Sequence, residues 1–231
     1  MIDPDRLREA LEETRARLDE AAQRGGRPAG SVEIVVAGKY VAADEVPALV
    51  AAGVRVVGEN RLQDLLAKRA VVGDALRFDF IGHLQRRKVR RVLPAVRLIH
   101  SLDSVPLAEE IARRAAGPTR VLVEVNIGEE QSKSGIVPRD IRTFVEEVSA
   151  FPEIVLGGLM GMPPPQRDPE RSRPYFAALR TMLDDLAAEW QGRHDFRDLS
   201  MGTSQDFLVA AEEGATIVRI GRGLTDRARI S

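Results

Sequence analysis

Residues 33–41 read Glu-Ile-Val-Val-Ala-Gly-Lys-Tyr-Val. Four consecutive apolar side chains without polar alternation mark a short strand buried on both faces, as in a parallel sheet. The residues just after the run decide between two parallel architectures. A doubly wound open sheet carries a glycine-rich fingerprint after its first strand. Here that position holds Ala37-Gly38-Lys39-Tyr40-Val41. The same kind of apolar run returns at Val54–Gly58, Phe78–Gly82, Val96–His100, Arg120–Asn126, Ile154–Met160, Asp198–Met201 and Thr216–Ile220, which makes eight in all. Helical stretches at about 43–52, 60–71, 85–93, 104–116, 138–150, 171–190 and 204–213 fill the seven gaps. Eight such units in 231 residues predict an α/β fold, a closed (β/α)₈ barrel. It is compact beside the ~250 residues usual for that fold. The doubly wound sheet is the runner-up.

Upstream, Asp3 is placed to cap a helix whose first turn holds Pro4. Leu7, Leu11, Leu18 and Ala22 share one face of it, and Gly25-Gly26-Arg27-Pro28 ends it. Eleven residues come after Ile220, too few for a full eighth outer helix. The N-terminal helix is therefore expected to complete the ring. No linker divides the chain, and Met162-Pro163-Pro164-Pro165 reads as a loop after strand six, so one domain over residues 1–231 is expected.

Composition narrows the function. Lys+Arg total 34 against 35 Asp+Glu, a net charge of −1 that disfavours gripping nucleic acid with the whole surface. The basic run Arg86-Arg87-Lys88-Val89-Arg90-Arg91 has no interleaved aromatic residue and reads as a solvated helix face, so no nucleic-acid partner is expected. Without cysteine there is no thiolate nucleophile, disulfide or Cys-ligated metal. His83, His100 and His194 lack ligand spacing. The acidic start is no targeting signal, and no apolar run approaches the ~18 residues of a membrane span. A cytoplasmic protein without membrane contact is expected.

Barrel chemistry belongs at the C-terminal ends of the strands. Those positions hold Lys39, Glu59-Asn60, His83, Ser101, Asn126, Met160, Gly202-Thr203-Ser204 and Gly221-Arg222. A lysine at the barrel mouth, partly desolvated, has an amine suited to imine formation; the bland alternative is a strand-end lysine reaching water. Ser200-Met201-Gly202-Thr203-Ser204 leads into a helix expected to open at Ser204-Gln205-Asp206. Its hydroxyls, close backbone and helix N-terminus suit a phosphate, as do Gly221-Arg222-Gly223 after strand eight. Ser204 serving only as an N-cap is compatible with that reading. An imine-forming lysine beside a phosphate cradle suggests pyridoxal 5′-phosphate.

The chain also resembles the pyridoxal phosphate homeostasis protein family, single-domain relatives of the alanine racemase barrel. The resemblance runs from about Ile34 to Arg222 and rests on ordered blocks. These are Gly58-Glu59-Asn60-Arg61 with Gln63, Phe80-Ile81-Gly82-His83-Leu84-Gln85 with Lys88, and Val125-Asn126 with Glu130 and Lys133-Ser134-Gly135. Gly158-Leu159-Met160, Ser200-Met201-Gly202 with Ser204 and Asp206, and Val218-Arg219-Ile220-Gly221 complete the set. The resemblance implies that Lys39 forms the internal aldimine and that Arg219 faces the pyridine nitrogen. It further implies that Ser200–Ser204 and Gly221–Arg222 hold the phosphate, with Asn60 beside the ring and Met160 among the cofactor-binding residues.

Several positions depart from the family pattern. Gly38 and Tyr40 replace small hydroxyl residues, Phe78-Asp79 stands for Trp-His, and Arg87 for Asn. Thr203 replaces Met, Arg222 a small hydroxyl residue, and Thr225-Asp226 Phe-Gly. At Arg222 a guanidinium offers itself to the phosphate instead.

Carrier and racemase are the competing functions. Two-base racemisation needs a second acid/base opposite the lysine; in the alanine racemase relatives that the resemblance points to, this is a tyrosine in a site completed by an added β-domain and a partner subunit. About ten residues after strand eight leave no room for that domain. Of the two tyrosines, Tyr175 opens a helix, and Tyr40 points away from Lys39 if the chain there stays extended. A cation at the pyridine nitrogen also weakens the ring as an electron sink. The expected function is a reversible carrier in vitamin B6 homeostasis without robust catalysis, acting as a monomer, with apo pyridoxal phosphate enzymes as partners.

Overall fold

The computed structural model describes residues 1–230. Eight parallel strands close into a barrel in sequence order, β1 to β8, with β8 pairing back onto β1. They are β1 (Glu33–Ala37), β2 (Val56–Glu59), β3 (Arg77–Phe80), β4 (Leu98–Leu102), β5 (Thr119–Val125), β6 (Ile154–Gly161), β7 (Asp198–Thr203) and β8 (Ile217–Ile220). The outer ring holds α1 (Pro4–Arg24), α2 (Val46–Ala51), α3 (Leu62–Val72), α4 (Val89–Val92), α5 (Val105–Arg114), α6 (Ile141–Val148), α7 (Arg173–Glu189), α8 (Phe207–Glu212) and the short α9 (Arg222–Thr225).

The strands read as unbroken apolar runs because both of their faces are covered. Outward residues such as Val36, Val57, Ile99 and Val123 join one continuous core with the helices. Inward residues form a smaller cluster, Val35, Val56, Leu98, Leu122, Met160 and Ile217, in the barrel lumen. Above that cluster the lumen turns polar: Asp79, His100, Ser200 and Arg219 are all buried.

Asp3 caps α1, its carboxylate accepting from the Asp5 and Arg6 amides at 2.9 and 3.0 Å. With Leu7, Leu11 and Leu18 buried, α1 packs against α8, α2 and α9 and completes the ring in place of a long eighth helix.

Several expected helices are shorter than their patterns. The 85–93 stretch breaks into a 3₁₀ turn (Arg86–Lys88), α4 and a second 3₁₀ turn (Leu93–Ala95), where Pro94 removes a helical donor. The 43–52 stretch opens with a 3₁₀ turn at Ala43–Glu45 before α2. The 204–213 stretch turns helical only at Phe207. Among the described residues no helix is long and apolar enough to cross a membrane, and no cluster of three or more His, Asp or Glu side chains is arranged to hold a metal ion.

Candidate functional site

At the C-terminal mouth of the barrel lies a cavity of about 610 Å³, within the range of small-ligand sites. Lys39, Asn60, Met160, Thr203, Ser204, Arg219, Gly221 and Arg222 line it, together with Tyr40, His83, Glu124 and Lys133. Ser200 and Gly202 are not among its walls. Ser200 is buried one layer lower in the lumen, and Gly202 turns back under α8. Gly202 has φ +88°, and a Cβ there would meet Ala210 Cβ at 2.6 Å, so glycine is required for the turn. A second cavity of about 810 Å³ opens at the other end of the barrel. Its inner arginines are committed: Arg97 to Glu33 and Asp79, and Arg120 to Asp195 and Asp198.

Lys39 does not sit on the strand. Residues Gly38–Tyr40 form a 3₁₀ turn that carries its side chain out to the mouth, where it is exposed. The expected partial desolvation is therefore absent. The same turn overrides the extended geometry expected to separate Lys39 from Tyr40. Lys39 Nζ lies 4.8 Å above the Tyr40 ring, the ammonium lowers the pKa of the phenol, and Arg222 approaches the same ring at 5.2 Å.

The turn is held from below by a buried ion pair. Lys68 on α3 donates to the Gly38 carbonyl at 2.7 Å and to the Glu59 carboxylate. Glu59 is wholly buried, and burial raises its pKa against the pull of Lys68. A Cβ on residue 38 would stand 2.0 Å from Glu59 Oε1, so glycine leaves the room this carboxylate fills. Sequence reading missed the pair. A lysine inside an amphipathic helix carries no mark of burial.

Arg219 on β8 forms the cavity floor. Its Nη1 donates to the Ser200 carbonyl and hydroxyl, both at 2.6 Å, and its Nη2 to the Gly161 carbonyl at 3.1 Å. No carboxylate pairs with it among the described residues. Burial alone pulls its pKa down to about 10, with Asp206 and Glu124 opposing. A guanidinium has five N–H donors; three are engaged here, which leaves others for a ligand's acceptor. Glu124 on β5 was also missed. Burial raises its pKa, while Ser134 donates to its Oε1 at 2.7 Å.

Loops seven and eight meet at Ser204, whose hydroxyl accepts from the Gly221 and Gly223 amides at 3.3 and 3.4 Å. These long bonds hold two N–H groups toward one oxygen. Two expectations change here. Ser204 does not cap α8, because the helix starts three residues later with Asp206 at its N-cap. The Thr203 N–H is not free for an anion either: Asp206 Oδ1 accepts from it at 2.7 Å and from the Thr203 hydroxyl at 3.2 Å. Arg222 remains exposed beside Ser204 and Gly221.

This geometry has known counterparts. A profile of the alanine racemase N-terminal domain matches residues 4–226. The pyridoxal phosphate homeostasis protein of Aquifex aeolicus is 41% identical over 221 residues, covering 94% of each chain. The human protein of that name is 32% identical over 228 residues, covering 92% of this chain and 83% of its own. PipY of Synechococcus elongatus, solved with pyridoxal phosphate bound, superposes with a TM-score of 0.82 at 28% identity, covering 95% of this chain and 99% of that one. Alanine racemase of Corynebacterium glutamicum shares the barrel at a TM-score of 0.71 and 18% identity, over 96% of this chain and 60% of its own.

Proposed function

The chain belongs to the pyridoxal phosphate homeostasis protein family, and on that premise we propose that its mouth cavity binds pyridoxal 5′-phosphate reversibly through Lys39, as a carrier in intracellular vitamin B6 homeostasis. One observation carries this reading. The chain has four lysines, and among the described residues only Lys39 enters the cavity without a carboxylate partner. Lys133 also lines the cavity but is paired with Glu130 at 2.5 Å; Lys68 is buried against Glu59. Lys88 lies in the 3₁₀ turn before α4, outside the cavity.

The residues present fit the cofactor. When bound, it supplies an aldehyde that condenses with an amine and is released by water or a second amine. Lys39 supplies the amine, Arg219 offers its spare donors to the ring nitrogen, and Asn60 and Met160 flank the ring. Ser204, with the Gly221 and Gly223 amides and the Arg222 cation, takes the phosphate. Glu124 Oε2, free of Ser134, is an atom at which the wall can take up or give back a proton. The exposed mouth lets water and amines reach Lys39, which suits exchange.

A racemase is the second reading, favoured by the closeness of Tyr40 to Lys39. Tyr40 nevertheless stands on the lysine's own side of the mouth, and proton return from the opposite face needs a base there. A cation at the ring nitrogen also disfavours carbanion chemistry. A monomer handing cofactor to apo-enzymes in the cytoplasm completes the proposal.

The functional test incubates loaded protein with each amino acid and follows α-proton exchange with solvent beside transfer of cofactor to an apo-enzyme. Transfer without exchange is expected. Stereochemical inversion at rates ordinary for an enzyme, roughly 1–10³ s⁻¹, establishes the racemase instead. In Ser204→Ala, retention of pyridoxal phosphate is expected to fall by roughly 10- to 100-fold, the worth of one charge-assisted hydrogen bond, with retention of pyridoxal unchanged. Equal loss of both ligands assigns Ser204 to folding.

A further inference from the structure

The polar lumen below the cavity forms a single hydrogen-bonded row. Arg219 Nη1 donates to Ser200 Oγ at 2.6 Å, Ser200 Oγ meets His100 Nδ1 at 2.9 Å, and His100 Nε2 meets Asp79 Oδ2 at 3.1 Å. Behind Asp79, Arg97 donates to both carboxylate oxygens at 3.0 and 2.7 Å and to both oxygens of Glu33 at 2.9 and 2.7 Å. The row crosses the barrel from β8 through β7, β4 and β3 and ends at the opposite mouth.

Its protons have one arrangement. A guanidinium only donates, so Ser200 Oγ accepts from Arg219; with the single proton of a neutral His100 ring held by Asp79, Nδ1 is left as an acceptor and takes the serine's own proton. The imidazole proton then sits on Nε2 and is donated to Asp79, a carboxylate that only accepts. Every donor points the same way, from Arg219 toward Asp79. The electrostatics agree. Burial keeps His100 below its ordinary pKa, so the ring stays neutral with one acceptor nitrogen. Burial opposes the Asp79 charge, yet the bonds from His100 and Arg97 outweigh it and hold that carboxyl below its usual range.

Stability does not account for such a row, since well-packed apolar residues in place of buried charges commonly cost a protein nothing. It does fix orientation. We propose that His100, backed by Asp79 and Arg97, is a positioning residue for cofactor recognition: it holds the Ser200 hydroxyl as an acceptor toward the barrel mouth, and this locks the Arg219 guanidinium with its unused N–H edge facing the ring nitrogen of pyridoxal phosphate. The inference rests on the cofactor reading above and adds to it the residues that aim Arg219, none of which touches the cofactor.

The test compares two ligands, pyridoxal phosphate and its 1-deaza analogue, in which a C–H replaces the ring nitrogen. The wild-type chain is expected to prefer pyridoxal phosphate by about 10- to 100-fold, the worth of one hydrogen bond to a charged donor. In His100→Leu this preference collapses toward unity, while affinity for the deaza analogue stays within about threefold. His100→Gln restores the preference, because its amide keeps one acceptor for Ser200 and one donor for Asp79. Ser200→Ala, which retains the backbone acceptor and nearly the same volume, carries the same test should His100→Leu fail to fold. Nitrogen NMR of His100 should show the proton on Nε2 in the free protein. A preference that persists in both His100→Leu and Ser200→Ala, a parallel loss of both ligands, or the opposite tautomer overturns the positioning role. A wild-type chain that binds the two ligands equally removes the Arg219 contact, and one that binds neither removes the cofactor reading itself.

Discussion

Lys68→Met lowers the unfolding free energy by about 3–5 kcal/mol, because it strands the wholly buried Glu59 carboxylate without its cation. Glu59 Oε2 already lacks a hydrogen-bond partner among the described residues, so losing Lys68 removes the carboxylate's one cation. The loss depends on pH, with a definite sign. Burial raises the folded-state pKa of Glu59, and removing Lys68 raises it further. The folded variant then holds a proton that the unfolded chain releases, so its stability increases as pH falls and is lost as pH climbs through the folded pKa. Denaturant titrations near roughly pH 8 and pH 5 should therefore show the gap from wild type narrowing on the acid side. The double variant Lys68→Met/Glu59→Gln regains much of the loss at neutral pH. A gap of the same size at both pH values would mean that lost packing, and no buried charge, is responsible.

In Lys39→Ala, borohydride treatment of protein mixed with pyridoxal phosphate leaves no pyridoxyl group on the chain, and retention of the cofactor falls by about 100-fold or more, equivalent to ~2.7 kcal/mol or more. Peptide mapping of the reduced wild-type protein should place the label on Lys39. The competing acceptor is Lys133, which shares the cavity but is held by Glu130. A label on Lys133, or on no lysine, would sink the assignment of Lys39. The Lys68 and Lys39 results are linked through the turn at Gly38, whose carbonyl Lys68 holds. Lys68→Met is thus expected to loosen cofactor retention as well as the fold, whereas Lys39→Ala should leave thermal stability close to wild type.

The barrel is legible in the sequence because its strands are covered on both sides, and that covering writes itself as uninterrupted Val, Ile and Leu. Strand β1 coincides with its apolar run, Glu33–Ala37. The run over β2 starts two residues early, at Val54, because a buried apolar residue in the preceding turn looks the same as one in the strand. The helical pattern over α8 starts three residues too soon, since Ser204-Gln205-Asp206 reads as a capping sequence until Asp206 is seen bonding back to Thr203. Lys39, Arg219, Ser204, Gly221 and Arg222 can be found because each lies on or beside the end of an identifiable strand, and topology brings those ends to one mouth. Ser200 and Gly202 come from the same motif but sit below and behind the cavity, one aiming Arg219 and the other turning the chain.

By itself, then, the sequence determined the number and order of the strands, and placed Lys39, Ser204 and Gly221–Arg222 at their C-terminal ends. These are local properties of hydrophobic periodicity and of residues adjacent to it. The tertiary structure alone decided which polar groups meet. Glu59 and Lys68 come together across β2 and α3, and Arg97, Asp79, His100, Ser200 and Arg219 are drawn from β8, β7, β4, β3 and the residue preceding β4. His100 and Ser200 are a hundred positions apart in the chain. Only closure of the barrel makes them neighbours, and burial in its lumen is what makes each donor's choice of acceptor matter.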